Sequence, residues 1–375
     1  MTAPLRILMP TIYFPPRVGG IENHVYYLAR ELVRRGHTVK ILTTKTEKQS
    51  PGREMMEGID VTRIRSFGKH PVGWVLSSLE AVPSVLAAAG RFDIIHCHTF
   101  AFALSGSAAN LLLHTPLVVT VHESHFLRFA KRAIMRPFLR MPLRRAAILL
   151  STSKEIDAVT RELLPGARTM PIVNGVDTER FRPVEPAIAR REGEFTIVCP
   201  RRLVEKNGVE FLVRAVPLLK DRVSVRVYLV GDGPLRGRLE ALARDLGAAE
   251  RVVFMGSVEN SRMPAVFSSA DMVVIPSLIE ATSIAALEAM SCERVVGASR
   301  VGGLPEIIDD RVGVLFESGS PERLADAIEA TARRSDRAEM GKEARRRVQA
   351  NWSIAKMTDT HESVYRQVIE RAKHA

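Results

Sequence analysis

The chain has 375 residues, a length that suits about two domains, and with 46% apolar and 26% charged residues it is neither disordered nor fibrous. Cys97, Cys199 and Cys292 are far apart and show no CxxC or Cys/His spacing, which excludes a disulfide scaffold and points to buried reduced thiols in a reducing compartment. Lys and Arg outnumber Asp and Glu by 54 to 42, and the net charge of +12 favours anionic partners without choosing among nucleotide, acidic lipid and nucleic acid.

The first apolar run, 7–9, follows the N-terminus directly, without the order of a signal peptide, so the chain is expected to stay in the compartment where it is made. From there to the end, short Val- and Ile-rich runs alternate with amphipathic segments, the pattern of βαβ units on parallel sheets. Strands are predicted at 6–9, 39–43, 94–96, 117–121 and 147–151, then at 196–199, 226–230, 252–255, 272–275, 295–297 and 314–316. The first helix carries Val25, Leu28, Ala29 and Leu32 on one face and ends at Arg34, Arg35 and Gly36. Residues 97–121 lack charge, but Ser105, Gly106, Ser107, Asn110, His114 and Pro116 divide them into a helix at 101–113 and a strand at 117–121; no other run approaches the roughly 20 residues of a membrane span. Pro183, Pro186 and Gly193 break the periodicity, which predicts domains at 1–185 and 186–355; a C-terminal helix at about 356–375 is expected to pack back on the first domain.

Ligands in open α/β sheets bind beyond the carboxyl ends of the strands, so the strand-to-helix turns carry the functional candidates. Gly19 and Gly20 open the first helix, either as an anion site or as a plain tight turn. In 200–208, Arg202 and Lys206 suit a diphosphate clamp or a solvated loop, and Gly231 and Gly233 form another turn of this type. Glu280 and Glu288 lie eight positions apart, with Thr282 or Ser283 as helix N-cap; Glu288, on a largely apolar helix, needs a ribose diol or an internal salt bridge. His96, His98, His122 and His125 follow strands and are expected over the strand ends rather than in a core. Without a carboxylate or cysteine shell they do not make a zinc motif. No Asp-x-Asp pair is present to hold a metal on a nucleotide.

In order and spacing, Gly19-Gly20-Ile21-Glu22 with His24, Ile95-His96-Cys97-His98, Thr120-Val121-His122, Val173-Asn174-Gly175-Val176-Asp177, Arg202-Leu203-Val204-Glu205-Lys206, Gly231-Asp232-Gly233-Pro234, the Glu280 and Glu288 pair and Val301-Gly302-Gly303-Leu304-Pro305-Glu306 resemble the retaining nucleotide-sugar glycosyltransferases of family 4. The resemblance implies an α/β GT-B fold of two doubly wound Rossmann-like domains facing across a cleft. It implies a metal-independent hexosyltransferase that uses a nucleoside-diphosphate sugar, UDP favoured over GDP, as substrate and no cofactor. Arg202 and Lys206 would bind the diphosphate, Glu280 the sugar and Glu288 the ribose. His122 would lie beside the sugar, with Gly19, Gly20, Gly231, Gly233, Thr282 and Ser283 around the donor. Ala281-Thr282-Ser283, Glu293 and Arg201 depart from the family pattern, in which Gly-Phe-Gly-like residues, glycine and glycine are usual.

Two further readings keep their place: a nucleotide-sugar epimerase or hydrolase of the same fold, and a basic nucleic-acid-binding protein, which the 6% aromatic content and missing recognition motif disfavour. Seven cations between 124 and 147, with no acidic residue among them, and interleaved Phe, Leu, Ile and Met give Phe126 to Arg145 the character of an anionic-membrane contact. The expected location is cytoplasmic and peripheral on the inner face of the cell membrane, beside a lipid-linked acceptor, with no nucleic-acid partner.

Overall fold

The computed structural model describes residues 3–374 apart from 18, 46–49, 69, 123, 173, 281 and 282. Strands β1 (Arg6–Pro10), β2 (Thr38–Thr44), β3 (Arg53–Met56), β4 (Ile59–Ile64), β5 (Ile94–Cys97), β6 (Leu117–Val121), β7 (Ile148–Ser151) and β8 (Thr169–Pro171) form one sheet in the order β3-β4-β2-β1-β5-β6-β7-β8. Every pairing in it is parallel except β3 with β4. Strands β9 (Phe195–Cys199), β10 (Val225–Val230), β11 (Val252–Gly256), β12 (Met272–Ile275), β13 (Val295–Ser299) and β14 (Gly313–Phe316) form a second, all-parallel sheet in the order β11-β10-β9-β12-β13-β14. Each strand order reverses beside the first strand of its sheet, the place where such sheets open to ligands. Buried Val, Ile and Leu from β9, β10, β12 and the helix Val209–Leu218 make the core of the second unit.

The chain divides into two compact units, 1–175 with 354–375 and 176–353. The first crossing therefore comes at Gly175, before the expected 185. The proline-containing stretch lacks helical or strand periodicity, but it is tied to the second unit. Phe181 is buried against Phe267 at 6.3 Å between centroids, and its carbonyl accepts from Ser291 and Arg345. Val184 N and Ile188 N donate to the Ser268 and Ser269 hydroxyls. The C-terminal helix, Ile354–Lys373, returns to the first unit: Glu362 accepts from Arg35 at 2.6 Å and meets His37 at 2.9 Å, while Tyr365 is fully buried.

Two corrections to the sequence reading concern apolar surface. The helix Pro71–Ala89 is long and apolar enough over Val72–Ala89 to cross a membrane by length and composition, although no such run was expected outside 97–121. It joins β4 to β5 as a crossover and leaves Val72, Val75, Leu76 and Leu79 exposed on one face. In the basic segment, Phe126, Leu127, Phe129, Leu139 and Leu143 are buried in the protein, so Ile134 (78% exposed), Phe138 (68%) and Met141 remain as outward apolar groups. Arg136 is neutralised by Glu162, whereas Lys131, Arg132, Arg140, Arg144 and Arg145 are exposed.

Candidate active site

In the second unit, three strand-end turns are packed backbone to backbone. A Cβ on Gly208 would lie 2.0 Å from the Pro276 carbonyl, and one on Gly231, whose φ is 142°, would lie 2.3 Å from the Arg201 carbonyl. Gly233 stands in the same relation to Leu203, at 2.4 Å. The glycines read as donor-binding residues thus have a structural task as well, since any side chain there would push the 200–208 turn away. That turn is further fixed by Leu203 N donating to the Asp232 carbonyl and by Leu278 N donating to the Lys206 carbonyl at 2.8 Å.

This platform brings Arg201, Arg202, Lys206 and Glu280 together. Arg202 and Lys206 are exposed, and neither makes a side-chain hydrogen bond or ion pair with a described residue. Enough protein still surrounds the Lys206 ammonium to lower its pKa, first through desolvation and then through Arg201 and Arg202, with Glu280 pulling the other way. Arg201 pairs with Glu280 and also reaches Ser277 Oγ (2.5 Å) and Asn207 Oδ1 (3.2 Å). Sequence reading counts Arg201 among up to three cations of this turn and as a departure from the family pattern, gives it no role, and misses Ser277 and Asn207. The signal for Asn207 lay in the Lys206-Asn207-Gly208 turn itself, where its amide donates to the Arg202 carbonyl at 2.8 Å.

Ser283 caps the helix Ile284–Ser291, its hydroxyl accepting from Ala286 N at 3.3 Å; Thr282 lies outside the described residues. Glu288 follows in that helix and is buried, and desolvation pushes its pKa up to about 8, against the pull of Arg180. Between the ordinary carboxylate range and pH 8 the folded chain therefore holds a proton that the unfolded chain releases. The stabilisation is complete below the unfolded pKa and is lost as pH rises through the folded one. Glu288→Gln is expected to remove this slope, worth at most about 5 kcal/mol by pH 9, and urea unfolding at pH 6 and 9 checks it; equal slopes in both proteins would contradict the assignment. The departure at Glu293 has a backbone consequence, since Glu293 takes φ 58° at a left-handed position that glycine occupies without strain.

In the first unit, Gly19 precedes the helix Gly20–Arg34, and the Glu22 carboxylate folds back against it; a Cβ on Gly19 would lie 2.4 Å from Glu22 Oε2. Glu22 also pairs with Arg17 at 2.9 Å. The anion expected over this turn is therefore one of the chain's own side chains. The histidines correct a second expectation: His96, His98 and His122 are buried, together with His24 and His361, rather than standing in the open. His98 Nδ1 lies 3.2 Å from His122 Nε2, the His24 and His122 ring centroids are 4.5 Å apart, and His96 bonds Thr120 (2.7 Å) and the Tyr365 hydroxyl (2.6 Å). Desolvation is the largest cause of a lowered pKa in all five, to about 3 at His122 and about 4 at His361, so the rings are neutral at pH 7. Ring nitrogens of His24, His98 and His122 lie within 4.8 Å of one another, a donor set of the kind that takes zinc. His24 and His361 come from helices far apart in sequence, so no local spacing pointed to the set.

Neutral imidazoles in one unit, and a cation cluster beside the Glu280 carboxylate in the other, suit sugar and phosphate chemistry. Comparison with known proteins agrees. Residues 18–180 match the Glycosyltransferase Family 4 family and residues 194–334 match Glycosyl transferases group 1. The chain is 32% identical to one component of the phosphatidylinositol N-acetylglucosaminyltransferase of Arabidopsis thaliana, over 87% of this chain and 74% of that protein. It is 30% identical to a GDP-mannose-dependent alpha-(1-6)-phosphatidylinositol monomannoside mannosyltransferase of Mycolicibacterium smegmatis, over 86% and 88%. Among solved structures, sucrose-phosphate synthase of Thermosynechococcus elongatus superposes with a TM-score of 0.87 at 23% identity, over 98% and 100%; HepE of Anabaena does so with a TM-score of 0.76 at 20% identity, over 99% and 100%. The chain belongs to the family 4 glycosyltransferases, glycosyl transferases group 1, and has their GT-B fold.

Proposed function

We propose that the protein transfers a hexosyl group, with retention of configuration and without a metal, from a nucleoside-diphosphate sugar to a hydroxyl on a lipid-linked acceptor. The observation that carries this reading is the pair of cations, Arg202 and Lys206, that form no ion pair with a described residue and are held next to Glu280 at the end of β9. Breaking the glycosyl-phosphate bond builds negative charge on the leaving diphosphate, and preorganised cations stabilise it as it forms. Glu280 would accept hydrogen bonds from the sugar hydroxyls and Glu288 from the ribose diol. No carboxylate nucleophile is invoked: the acceptor attacks from the face the diphosphate leaves, and the diphosphate takes its proton.

UDP is the preferred nucleotide in this reading, supported by HepE, whose structure is described as a complex with UDP-glucose, although the mycobacterial relative is named for GDP-mannose. Thermal unfolding with UDP, GDP and ADP tests it: a ligand at about 100 times its dissociation constant adds about 2.7 kcal/mol, and UDP should shift the midpoint most. No shift with any of the three would sink the donor reading. An epimerase or hydrolase would release its nucleotide or product without any acceptor, so acceptor-dependent turnover separates those activities from transfer.

The lipid acceptor is supported by the names of two relatives, both of which contain phosphatidylinositol, and by the basic segment. Lys131, Arg132, Arg140, Arg144 and Arg145, with Ile134, Phe138 and Met141, would hold the protein to the inner face of the cell membrane, the cations contributing about 1 kcal/mol each near anionic lipid. The expected result is cosedimentation with phosphatidylglycerol vesicles that high salt reverses. Changing Arg140, Arg144 and Arg145 together to Ser should abolish it, and undiminished binding would remove this segment from the contact.

A further inference from the structure

Arg201 is a third cation in a site where two suffice for a diphosphate. Its side chain is only 12% exposed, whereas Arg202 and Lys206 are exposed. One guanidinium nitrogen, Nη2, meets the Glu280 carboxylate, Ser277 Oγ and Asn207 Oδ1, and Nε is buried without a hydrogen-bond partner among the described residues. Ser277 is itself fully buried and lies 3.5 Å from the same Glu280 oxygen. The backbone cannot retreat, because the Arg201 carbonyl packs on Gly231 Cα. The guanidinium is thus fixed by its surroundings and in turn fixes Glu280.

We propose that Arg201 is a positioning and specificity residue: it orients Glu280 and cancels its charge, so that the site takes a nucleoside diphosphate carrying an uncharged sugar and disfavours a uronosyl donor. This rests on the reading of the second unit as the donor site. Arg201, Arg202 and Lys206 against Glu280 leave two positive charges, which match the two negative charges of a diphosphate diester. A sugar carboxylate would add a third negative charge beside Glu280, whose compensating cation is already engaged, and like charges at such a distance repel. Removing Arg201 leaves Glu280 unpaired next to the diphosphate. Removing the Glu280 charge as well restores the balance.

Calorimetry on the full chain with UDP, and with GDP if that binds instead, tests this. Arg201→Ala should weaken the nucleoside diphosphate about 10-fold or more through the uncompensated carboxylate, and the Arg201→Ala, Glu280→Gln double variant should recover to within about 3-fold of wild type. Glu280→Gln alone should not weaken it. A purely structural role would leave the double variant as weak as Arg201→Ala, and that result would overturn the proposal. Arg201→Lys keeps the charge without the planar fork; it should hold nucleotide affinity while lowering kcat, and loss of both together would contradict the charge argument. Wild type should bind UDP-glucose at least about 10-fold tighter than UDP-glucuronate, and equal binding would also overturn the proposal. If wild type binds no nucleoside diphosphate, the donor reading fails first and the inference with it.

Discussion

Arg202→Ala and Lys206→Ala are each expected to lower turnover by roughly 100- to 1000-fold, the usual cost of removing one preorganised donor to a developing anion. Both side chains are exposed and form no ion pair with a described residue, so the folded state should not register their loss. The backbone carbonyl of Lys206 holds Leu278 and Ile279, and alanine keeps that carbonyl. Turnover is measured at saturating donor and acceptor, with thermal unfolding as the control. Wild-type rates in both variants would remove the diphosphate role from this turn.

The second large effect is acid sensitivity. His24, His96, His98, His122 and His361 are buried and lie below the ordinary histidine range, mainly through desolvation. Below the unfolded pKa of about 6.5, an unfolded chain binds protons at these rings that the folded chain refuses. Stability therefore falls as pH falls, by up to about 1.4 kcal/mol per pH unit for each ring. Five rings acting together would consume the roughly 5–15 kcal/mol of an ordinary domain within about one to two pH units below 6.5, so cooperative acid unfolding of the first unit is expected near pH 5. Urea unfolding at pH 7, 6 and 5 checks this, and a stability that stays level to pH 5 would contradict it. The second unit has no such cluster among its described residues and should survive to lower pH.

The second sheet was legible because each strand is a Val-rich run ended by a turn residue, and all six runs became strands. Strand β4 alternates correctly, but Arg63 occupies an inward position there, buried and paired with Glu54, and a buried cation hides the apolar period. Strand β3 reads Arg-Glu-Met-Met and β8 has three residues, so neither carries a pattern of its own. The glutamate pair and the 200–208 turn were legible as local motifs. The Arg201 to Glu280 pair spans 79 positions, and the histidine set draws on a first and a last helix; both exist only after the chain has folded.

Metal-independent sugar transfer from a nucleoside-diphosphate sugar to a lipid hydroxyl has a direct assay. It is tested most directly by following UDP or GDP release from the corresponding hexosyl donors in excess EDTA, with and without phosphatidylinositol vesicles. The expected result is release that depends on the lipid, proceeds unchanged in EDTA and is matched by a glycolipid whose anomeric configuration is that of the donor. Release without lipid would contradict transfer, and inversion at the anomeric carbon would contradict the same-face mechanism. Loss of activity in EDTA, restored by zinc, would contradict metal independence and turn attention to His24, His98 and His122.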